Sequence, residues 1–376
     1  MRIAINTRFG AYDYQEGYGR FSREISYGMA SANPDDEFFF YYDQPIKQNA
    51  PQFSNVNQIV AGPPARHPLL WKYWYDLRIP ALLSKNEADV FFSTDGICSL
   101  NTKVPQVLAI HDLAFLHYPQ FLPKAQQWFY KQYTPRFIKK ARRIITVSSF
   151  SRSDLLKQYP FAKDKVEVVY NAADTAFHPL PWSEKEACKV AFTEGREYFL
   201  YVGSIHPRKN LINLLKAFSG FKKRQKTNMQ LVIAGRMAWQ HEDFTQALSA
   251  FKFRNDVKLM GYIPQEDLVK LMGSAYALVY PSVWEGFGMP VLEAMQSGVP
   301  VLCSGSSALP EIAGDAALYF DPLKPEDIGQ QLAHVYKDEH ARSLMIERGL
   351  LRAGSFSWSQ SCRQVREILQ QAAASG

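Results

Sequence analysis

Two carboxylates flank one predicted helix start in the second half of the chain. Glu285 and Glu293 lie eight positions apart, with Gly286-Phe287-Gly288 between them. An apolar run ends at Tyr280 and Pro290 suits the first turn of a helix, so the segment is predicted to be a strand-to-helix turn. Glycine lets backbone N–H groups approach a ligand, and a helix N-terminus attracts anions. The segment is therefore either a ligand site or a tight turn whose carboxylate favours the helix dipole.

A pair of cations lies at another predicted helix start. A strand is predicted to end at Gly203, and an apolar helical pattern begins near Asn210, directly after Arg208 and Lys209. Cations are unfavourable at a helix N-terminus, so we expect an anion beside them. Two cations and free N–H groups would cradle a diphosphate. The alternative is a solvated cationic pair.

Two weaker signals lie in the first half of the chain. His111 follows the apolar run 107–110, where a lone histidine is more often structural than catalytic, and Asp112 would either orient its ring or cap the next turn. Gly17-Tyr18-Gly19 precedes a helical stretch. It lacks the third glycine of the dinucleotide fingerprint, so the simplest interpretation is an ordinary helix entry.

The elements that must position these residues alternate between short apolar runs and helical stretches. We predict strands near residues 2–6, 38–42, 56–60, 89–93, 105–110, 143–148, 166–170, 198–203, 229–234, 257–260, 276–280 and 299–303. Nearly continuous apolar runs are typical of parallel strands that are buried on both faces. The alternation predicts a doubly wound α/β fold, in which ligands bind beyond the carboxyl ends of the strands.

The strand series is interrupted at 177–181, where two prolines favour an extended connector. We therefore predict two Rossmann-like domains facing a central cleft, residues 1–178 and 179–356. The last helix, within 357–376, could pack on either domain, and the prediction allows for its packing back on the first domain.

Composition excludes several classes of protein. Apolar residues make up 47% and charged residues 21% of the 376, so bulk disorder and a coiled coil are excluded. The four cysteines have no paired spacing, which disfavours a zinc site and a disulfide framework and suits a reducing cytoplasm. The sequence shows neither a signal peptide nor a long apolar span, so we expect a cytoplasmic protein, either soluble or peripheral on the inner face of a membrane. The net charge of +7 would suit nucleic acid, anionic lipid or an anionic small molecule.

The segment from Glu285 to Glu293, with Gly-Phe-Gly and Pro inside it, resembles the signature of family 4 retaining glycosyltransferases. These are GT-B enzymes of two Rossmann-like domains. Segments 297–301 and 309–317 are also similar to that family, and the resemblance extends across nearly the whole chain. His-Asp-Leu at 111–113 and Pro-Arg-Lys-Asn at 207–210 are similar to the mannosyltransferase-like members.

The resemblance implies roles for the residues singled out above. Glu285 would contact hydroxyls of the donor sugar and Glu293 the nucleotide ribose. Arg208 and Lys209 would neutralise the leaving diphosphate, although some members carry the Arg directly after the glycine, where this chain has Ser204. His111 would contact the donor sugar. Further donor contacts are implied at Gly17, Gly19, Gly203, Ile263, Gly286, Phe287, Gly288 and Met289, and more weakly at Arg20.

The reaction so implied moves a hexose from a nucleotide-diphosphate sugar to a hydroxyl of a glycan or lipid-linked acceptor in surface polysaccharide synthesis. GDP-mannose is the expected donor, with UDP-glucose as the alternative. We expect no cofactor and no metal, because cations and helix N-termini can stabilise the departing phosphates. A non-catalytic nucleotide-sugar-binding protein of the same fold is the second interpretation. We do not expect nucleic acid as a partner, since no nucleic-acid-binding module is recognisable.

The surplus charge is concentrated in one stretch. Between residues 103 and 143 there is a single acidic residue, Asp112, against the basic residues Lys103, Lys124, Lys131, Arg136, Lys139, Lys140, Arg142 and Arg143. This half of the chain would receive the acceptor, so we expect an anionic membrane surface or a phosphate-bearing acceptor there. The aromatic segment 69–83 is predicted to be a core helix, with contact to a bilayer surface as the alternative.

Overall fold

Parallel strands form two separate sheets in the computed structural model, which describes residues 1–11, 17–46, 51–238 and 241–374. The first unit comprises Met1–Asn171 and Ser357–Gly376, and the second comprises Ala172–Phe356. The prediction placed this division at residue 178. Residues 172–177 belong to the second unit, where Gln296 Nε2 donates hydrogen bonds to the carbonyls of Asp174 (2.7 Å) and Phe177 (2.8 Å).

The first unit contains a seven-stranded sheet in the order β3-β2-β1-β4-β5-β6-β7. Its strands are β1 (Arg2–Asn6), β2 (Glu37–Tyr42), β3 (Val56–Val60), β4 (Val90–Ser93), β5 (Gln106–Ile110), β6 (Arg143–Thr146) and β7 (Val166–Val168). Its helices before residue 172 are α1 (Gly17–Ala32), α2 (Pro68–Tyr73), α3 (Ile79–Lys85), α4 (Ala114–His117), α5 (Lys124–Lys140) and α6 (Ser149–Gln158). A π-helical turn, Trp74–Arg78, connects α2 directly to α3.

The second unit contains a six-stranded sheet in the order β10-β9-β8-β11-β12-β13. Its strands are β8 (Tyr198–Val202), β9 (Gln230–Ala234), β10 (Val257–Gly261), β11 (Ala277–Tyr280), β12 (Val301–Ser304) and β13 (Ala317–Phe320). Its helices are α7 (Trp182–Thr193), α8 (Leu211–Gln225), α9 (Glu242–Ser249), α10 (Gln265–Gly273), α11 (Met289–Gln296), α12 (Leu309–Ala313), α13 (Pro325–Lys337) and α14 (Glu339–Ala353).

The predicted fold class is confirmed, because both sheets are parallel throughout and helices follow their strands. Each predicted strand is present, and the central strands β4, β5, β8, β9 and β11 are buried along their whole length, as continuous apolar runs require. The prediction missed β13. That strand lies at the sheet edge and is only partly buried over its first three residues, although all four of its residues are apolar.

The last helix, α15 (Trp358–Ala374), packs on the first unit, where it contacts α1. Arg366 Nε lies 2.7 Å from Asp36 Oδ2, and Ser361 Oγ donates a 2.6 Å hydrogen bond to the carbonyl of Tyr170. The two helices are in close contact at Gly28, where an added Cβ would lie 2.5 Å from Cys362 Sγ. Glycine at position 28 is therefore required by the packing of α15.

We expect Gly28→Ala to lower the free energy of unfolding by about 1–3 kcal/mol, because the methyl group overlaps Cys362 Sγ. Cys362→Ala removes that sulfur and leaves Cβ at an ordinary distance of 3.8 Å from the added group. The double variant should therefore lose less stability than the sum of the two single variants, which urea unfolding of all four proteins measures. Additive losses would show that the two helices are not limited by this contact.

Candidate active site

Two glycines bring two strand ends of the second unit together. Gly203 follows β8 with φ +143°, and Gly235 follows β9 with φ +155°. A Cβ on Gly235 would lie 1.9 Å from the carbonyl oxygen of Gly203, so only glycine fits there. The sequence prediction included Gly203 and missed Gly235. Both are required by the backbone at the carboxyl edge of the sheet.

The loop after Gly203 carries the two cations into a short 3₁₀ turn, Pro207–Lys209. Its first N–H is capped, since the amide of Arg208 donates to His206 Nδ1 at 3.2 Å. Asn210 ends the turn in the left-handed conformation (φ +61°), and its Nδ2 donates to the carbonyls of Pro281 (3.1 Å) and Pro322 (2.6 Å). Arg208 and Lys209 thus immediately precede α8, as predicted, and Lys209 is buried.

The carboxylate of Glu285 receives hydrogen bonds from three neighbouring side chains. Lys209 Nζ and Ser282 Oγ each lie 2.5 Å from its Oε1, and the Tyr280 hydroxyl lies 3.2 Å from the same oxygen. Arg208 Nη1 lies 3.4 Å from its other oxygen, Oε2. The loops that follow β8 and β11 are therefore joined through one buried anion.

The two cations determine the protonation of this carboxylate. Burial alone would raise the pKa of Glu285, but the charges of Lys209 and Arg208, with hydrogen bonds from Lys209 and Ser282, hold it at about 2. Glu285 is therefore ionised at neutral pH. The anion that was expected beside Arg208 and Lys209 is, in this structure, Glu285 itself, and the three side chains together carry one surplus positive charge.

The turn after Glu285 depends on Gly288, which has φ +103° and where a Cβ would lie 2.5 Å from Leu309 Cδ2. The next helix, α11, begins at Met289, one residue earlier than Pro290 would suggest. Glu293 is buried on α11, and the ring of Phe287 packs perpendicular to Phe356 with centroids 5.9 Å apart. The side chain of Phe287 is therefore a core residue, and only its backbone remains a candidate for ligand contact.

Two other contacts complete the description of the second unit. Ser307 Oγ accepts a 3.0 Å hydrogen bond from the amide of Glu285, which the sequence prediction did not include. Ile263 is half-buried in the loop after β10, the edge strand of the same sheet. Among the residues that the structure describes, no group of three or more His, Cys, Asp or Glu side chains could hold a metal ion.

His111 lies at the carboxyl end of β5 in the first unit. Its Nε2 is 2.9 Å from the carbonyl oxygen of Thr94, which only accepts, so Nε2 carries the proton. Burial lowers the pKa of His111, and the neutral ring therefore has a lone pair on Nδ1. Asp112 forms no hydrogen bond with this ring; its Oδ1 accepts from the amide of Ala114 (2.8 Å), the first residue of α4.

A buried network fixes the loop that holds His111. Asp95 Oδ2 lies 2.7 Å from Arg8 Nε, and Asp95 Oδ1 accepts a 2.5 Å hydrogen bond from the Tyr75 hydroxyl. Next to it, Thr94 Oγ1 donates to the carbonyl of Asn6 at 2.8 Å. The ends of β1 and β4 are thereby locked together, which fixes the carbonyl that orients the His111 ring. The sequence prediction missed this network.

Gly17 and Gly19, predicted as parts of a glycine-bearing loop, lie with Arg20 in the first turn of α1. Residues 12–16, which precede them, lie outside the described part of the chain. The structure brings Arg208, Lys209 and Glu285 together in the second unit. His111 and the two glycines belong to the first unit.

We expect Glu285→Gln to lower the free energy of unfolding at neutral pH by about 3 kcal/mol, because two cations lose their buried partner. The native carboxylate has its pKa lowered from 4.5 to about 2, so its contribution is complete above pH 4.5 and declines as the pH falls towards 2. The stability difference between the variant and the parent should therefore narrow between pH 5 and pH 3. Urea unfolding across this range measures it, and a difference independent of pH would contradict the assignment.

Comparison with known proteins extends over both units. Residues 29–177 match the family described as Glycosyltransferase Family 4, and residues 182–352 match the family described as Glycosyl transferases group 1. The O-antigen chain mannosyltransferase B of Escherichia coli is 29% identical over 93% of this chain and 94% of that protein. The O-antigen chain mannosyltransferase RfbU of Salmonella typhimurium is 28% identical over 68% of this chain and 67% of that protein.

The fold also has solved counterparts. The HepE protein of Anabaena, solved in complex with UDP-glucose, superposes with a TM-score of 0.77 over 99% of this chain and 100% of that one, at 16% identity. The two family matches cover strands β2 to β7 and β8 to β13, and the resemblance to glycosyltransferases is confirmed. The chain belongs to the GT-B glycosyltransferases, with a Glycosyltransferase Family 4 domain followed by a group 1 domain.

Proposed function

We propose that this glycosyltransferase is a retaining mannosyltransferase that moves mannose from GDP-mannose to a hydroxyl of a glycan or lipid-linked acceptor in surface polysaccharide synthesis. The observation that carries the proposal is the cluster of half-buried Arg208 with buried Lys209 and Glu285, four residues before the helix start at Met289. The mannose assignment is supported by the similar proteins from Escherichia coli and Salmonella typhimurium, both of which are named as mannosyltransferases.

The leaving diphosphate is assigned to Arg208 and Lys209. A nucleoside diphosphate brings additional negative charge to a cluster that has one surplus positive charge, so it competes with Glu285 for both cations. As the glycosidic bond breaks, charge develops on the phosphate oxygen, and preorganised cations stabilise that charge without reorganisation. Glu285, once it shares its cations, can accept hydrogen bonds from the sugar hydroxyls, and Glu293 is assigned to the ribose.

The acceptor hydroxyl attacks from the same face as the leaving group, which retains the anomeric configuration. A proton must leave that hydroxyl, and Glu285 is a poor base because its pKa is held at about 2. We therefore assign the proton to an oxygen of the departing phosphate. No metal is required in this scheme, since the two cations take the place that a metal would have in stabilising the phosphates.

His111 is assigned to a hydroxyl of the donor sugar. Its Nε2 proton is used by the carbonyl of Thr94, so Nδ1 is the nitrogen that can accept a hydrogen bond. The remainder of the donor is assigned to backbone groups. These are the N–H groups of Gly286, Phe287, Gly288 and Met289, the first turn of α1 at Gly17 and Gly19, the strand end at Gly203 and the loop at Ile263.

The donor is tested by incubating the protein with a matched set of nucleotide sugars and measuring release of the nucleoside diphosphate. We expect turnover with GDP-mannose, unaffected by EDTA, and NMR of the product should show the anomeric configuration of the donor. If the protein prefers UDP-glucose, the proposed donor is wrong and the proposed sugar transfer stands. Tight binding without turnover of any donor or acceptor would instead support a non-catalytic nucleotide-sugar-binding protein.

We expect Lys209→Ala to lower kcat by about 10²–10³-fold, because one preorganised charge opposite the leaving phosphate is lost. Arg208→Ala should have a smaller effect, since solvent screens its half-buried guanidinium more than the buried ammonium of Lys209. The matched control is Lys216→Ala, which removes an exposed lysine from α8 of the same unit. Steady-state kinetics of folded variants make the comparison, and unchanged kcat for Lys209→Ala would remove this residue from the reaction.

A further inference from the structure

One helical segment of the first unit is buried on one side and exposes apolar residues on the other. Trp71, Trp74 and Tyr75 are buried, which confirms the predicted core helix. Leu69, Tyr73 and Leu77 recur every fourth residue and are 74%, 39% and 59% exposed. Isolated exposed apolar residues are ordinary on protein surfaces, but a regular stripe of them is not.

The neighbouring helix α5 is cationic and has no acidic residue. Its exposed cations are Lys124, Lys131, Arg136, Lys139 and Lys140, and within the described ranges none of them forms an ion pair. Trp128 on the same helix is 60% exposed. Lys139 and Lys140 suit the C-terminus of a helix, whereas Lys124 is unfavourable at the N-terminus.

Direct contacts join these helices into one surface. The ring of Trp71 lies 5.1 Å from that of Phe129 on α5. Lys72 and Arg136 lie over the ring of Tyr133 at 4.7 and 5.2 Å from its centroid, and Trp128 packs against the same ring. We refer to Leu69, Tyr73, Leu77, Trp128 and the five cations of α5 as the α2–α5 face.

We propose that the α2–α5 face docks on an anionic lipid bilayer. The leucines and Trp128 would enter the boundary between headgroups and acyl chains, while the cations lie against the phosphates, as in other interfacial amphipathic helices. A second copy of the chain would bring the same uncompensated cations to the contact, so charge complementarity favours lipid as the occupant. This inference rests on the lipid-linked acceptor of the proposed function, and it adds that the protein meets this acceptor at the membrane surface.

Binding of the full-length protein to vesicles tests the proposal. Sedimentation with phosphatidylcholine vesicles, with and without phosphatidylglycerol, gives the partition coefficient at two salt concentrations. We expect binding only with the anionic lipid, weakened by salt. Two triple variants should each lower the partition coefficient at least about tenfold. One combines Leu69→Ser, Leu77→Ser and Trp128→Ser, and the other combines Lys124→Glu, Lys131→Glu and Lys139→Glu.

Matched controls lie on the second unit. Leu323→Ser with Leu351→Ser removes two leucines that are 71% and 72% exposed, and Lys223→Glu with Lys226→Glu and Lys252→Glu reverses three exposed lysines around a surface cavity. Both should bind vesicles as the parent does. The proposal would be overturned if the controls lost as much vesicle binding as the α2–α5 variants, or if the α2–α5 variants lost none. It would also be overturned if the α2–α5 substitutions changed the oligomeric state of the protein in the absence of lipid.

The readout is independent of sugar transfer. Release of nucleoside diphosphate in the absence of vesicles should be the same for the α2–α5 variants and the parent, because none of the substituted residues belongs to the proposed donor site. If the protein binds vesicles but transfers no sugar, the proposed function is wrong and the docking surface stands. A protein that transfers sugar and ignores anionic vesicles contradicts the docking surface alone.

Discussion

The buried ion pair between Lys209 and Glu285 is the interaction on which the organisation of the second unit depends. It joins the loop after β8 to the loop after β11 across a separation of 76 residues in sequence. Burying either charge alone would be costly, so the presence of each residue requires the other. Tyr280, Ser282 and Ser307 bind the same residue, Glu285, which fixes the start of α11 relative to the cationic turn.

The pairing with Lys209 also gives the carboxylate of Glu285 a second role. By resemblance Glu285 is a residue that meets a sugar, yet its contacts here are those of a counter-ion. The two descriptions agree if the cations are shared between the chain and a ligand. A site of this kind is held in shape by its own charges before a ligand arrives. The backbone of these loops is constrained by the positive φ angles of Gly203, Gly235, Gly288 and Asn210.

Much of the fold could be predicted because burial on both faces leaves continuous apolar runs in the sequence, as in β9 and β11. The prediction missed the edge strand β13, although its four residues are apolar, because such a short run can equally belong to a buried helix segment. The contact of Arg208 and Lys209 with an anion could be predicted because cations are unfavourable at a helix start, and Glu285 was singled out because it precedes a glycine-bearing strand-to-helix turn. Gly235, Ser307, Asp95 and Tyr75 were missed since their roles depend on contacts between segments far apart in sequence, and no local pattern marks such contacts.

The position of α15 has a consequence for the order in which the chain is completed. The second unit is a continuous segment, Ala172–Phe356, whereas the first is made of two pieces that lie at opposite ends of the sequence. During synthesis from the N-terminus, the second unit is complete before the helix that packs at Gly28 has been made. The first unit, although it begins the chain, is therefore the last to be finished, and until then the surface of α1 around Gly28 has no partner from α15.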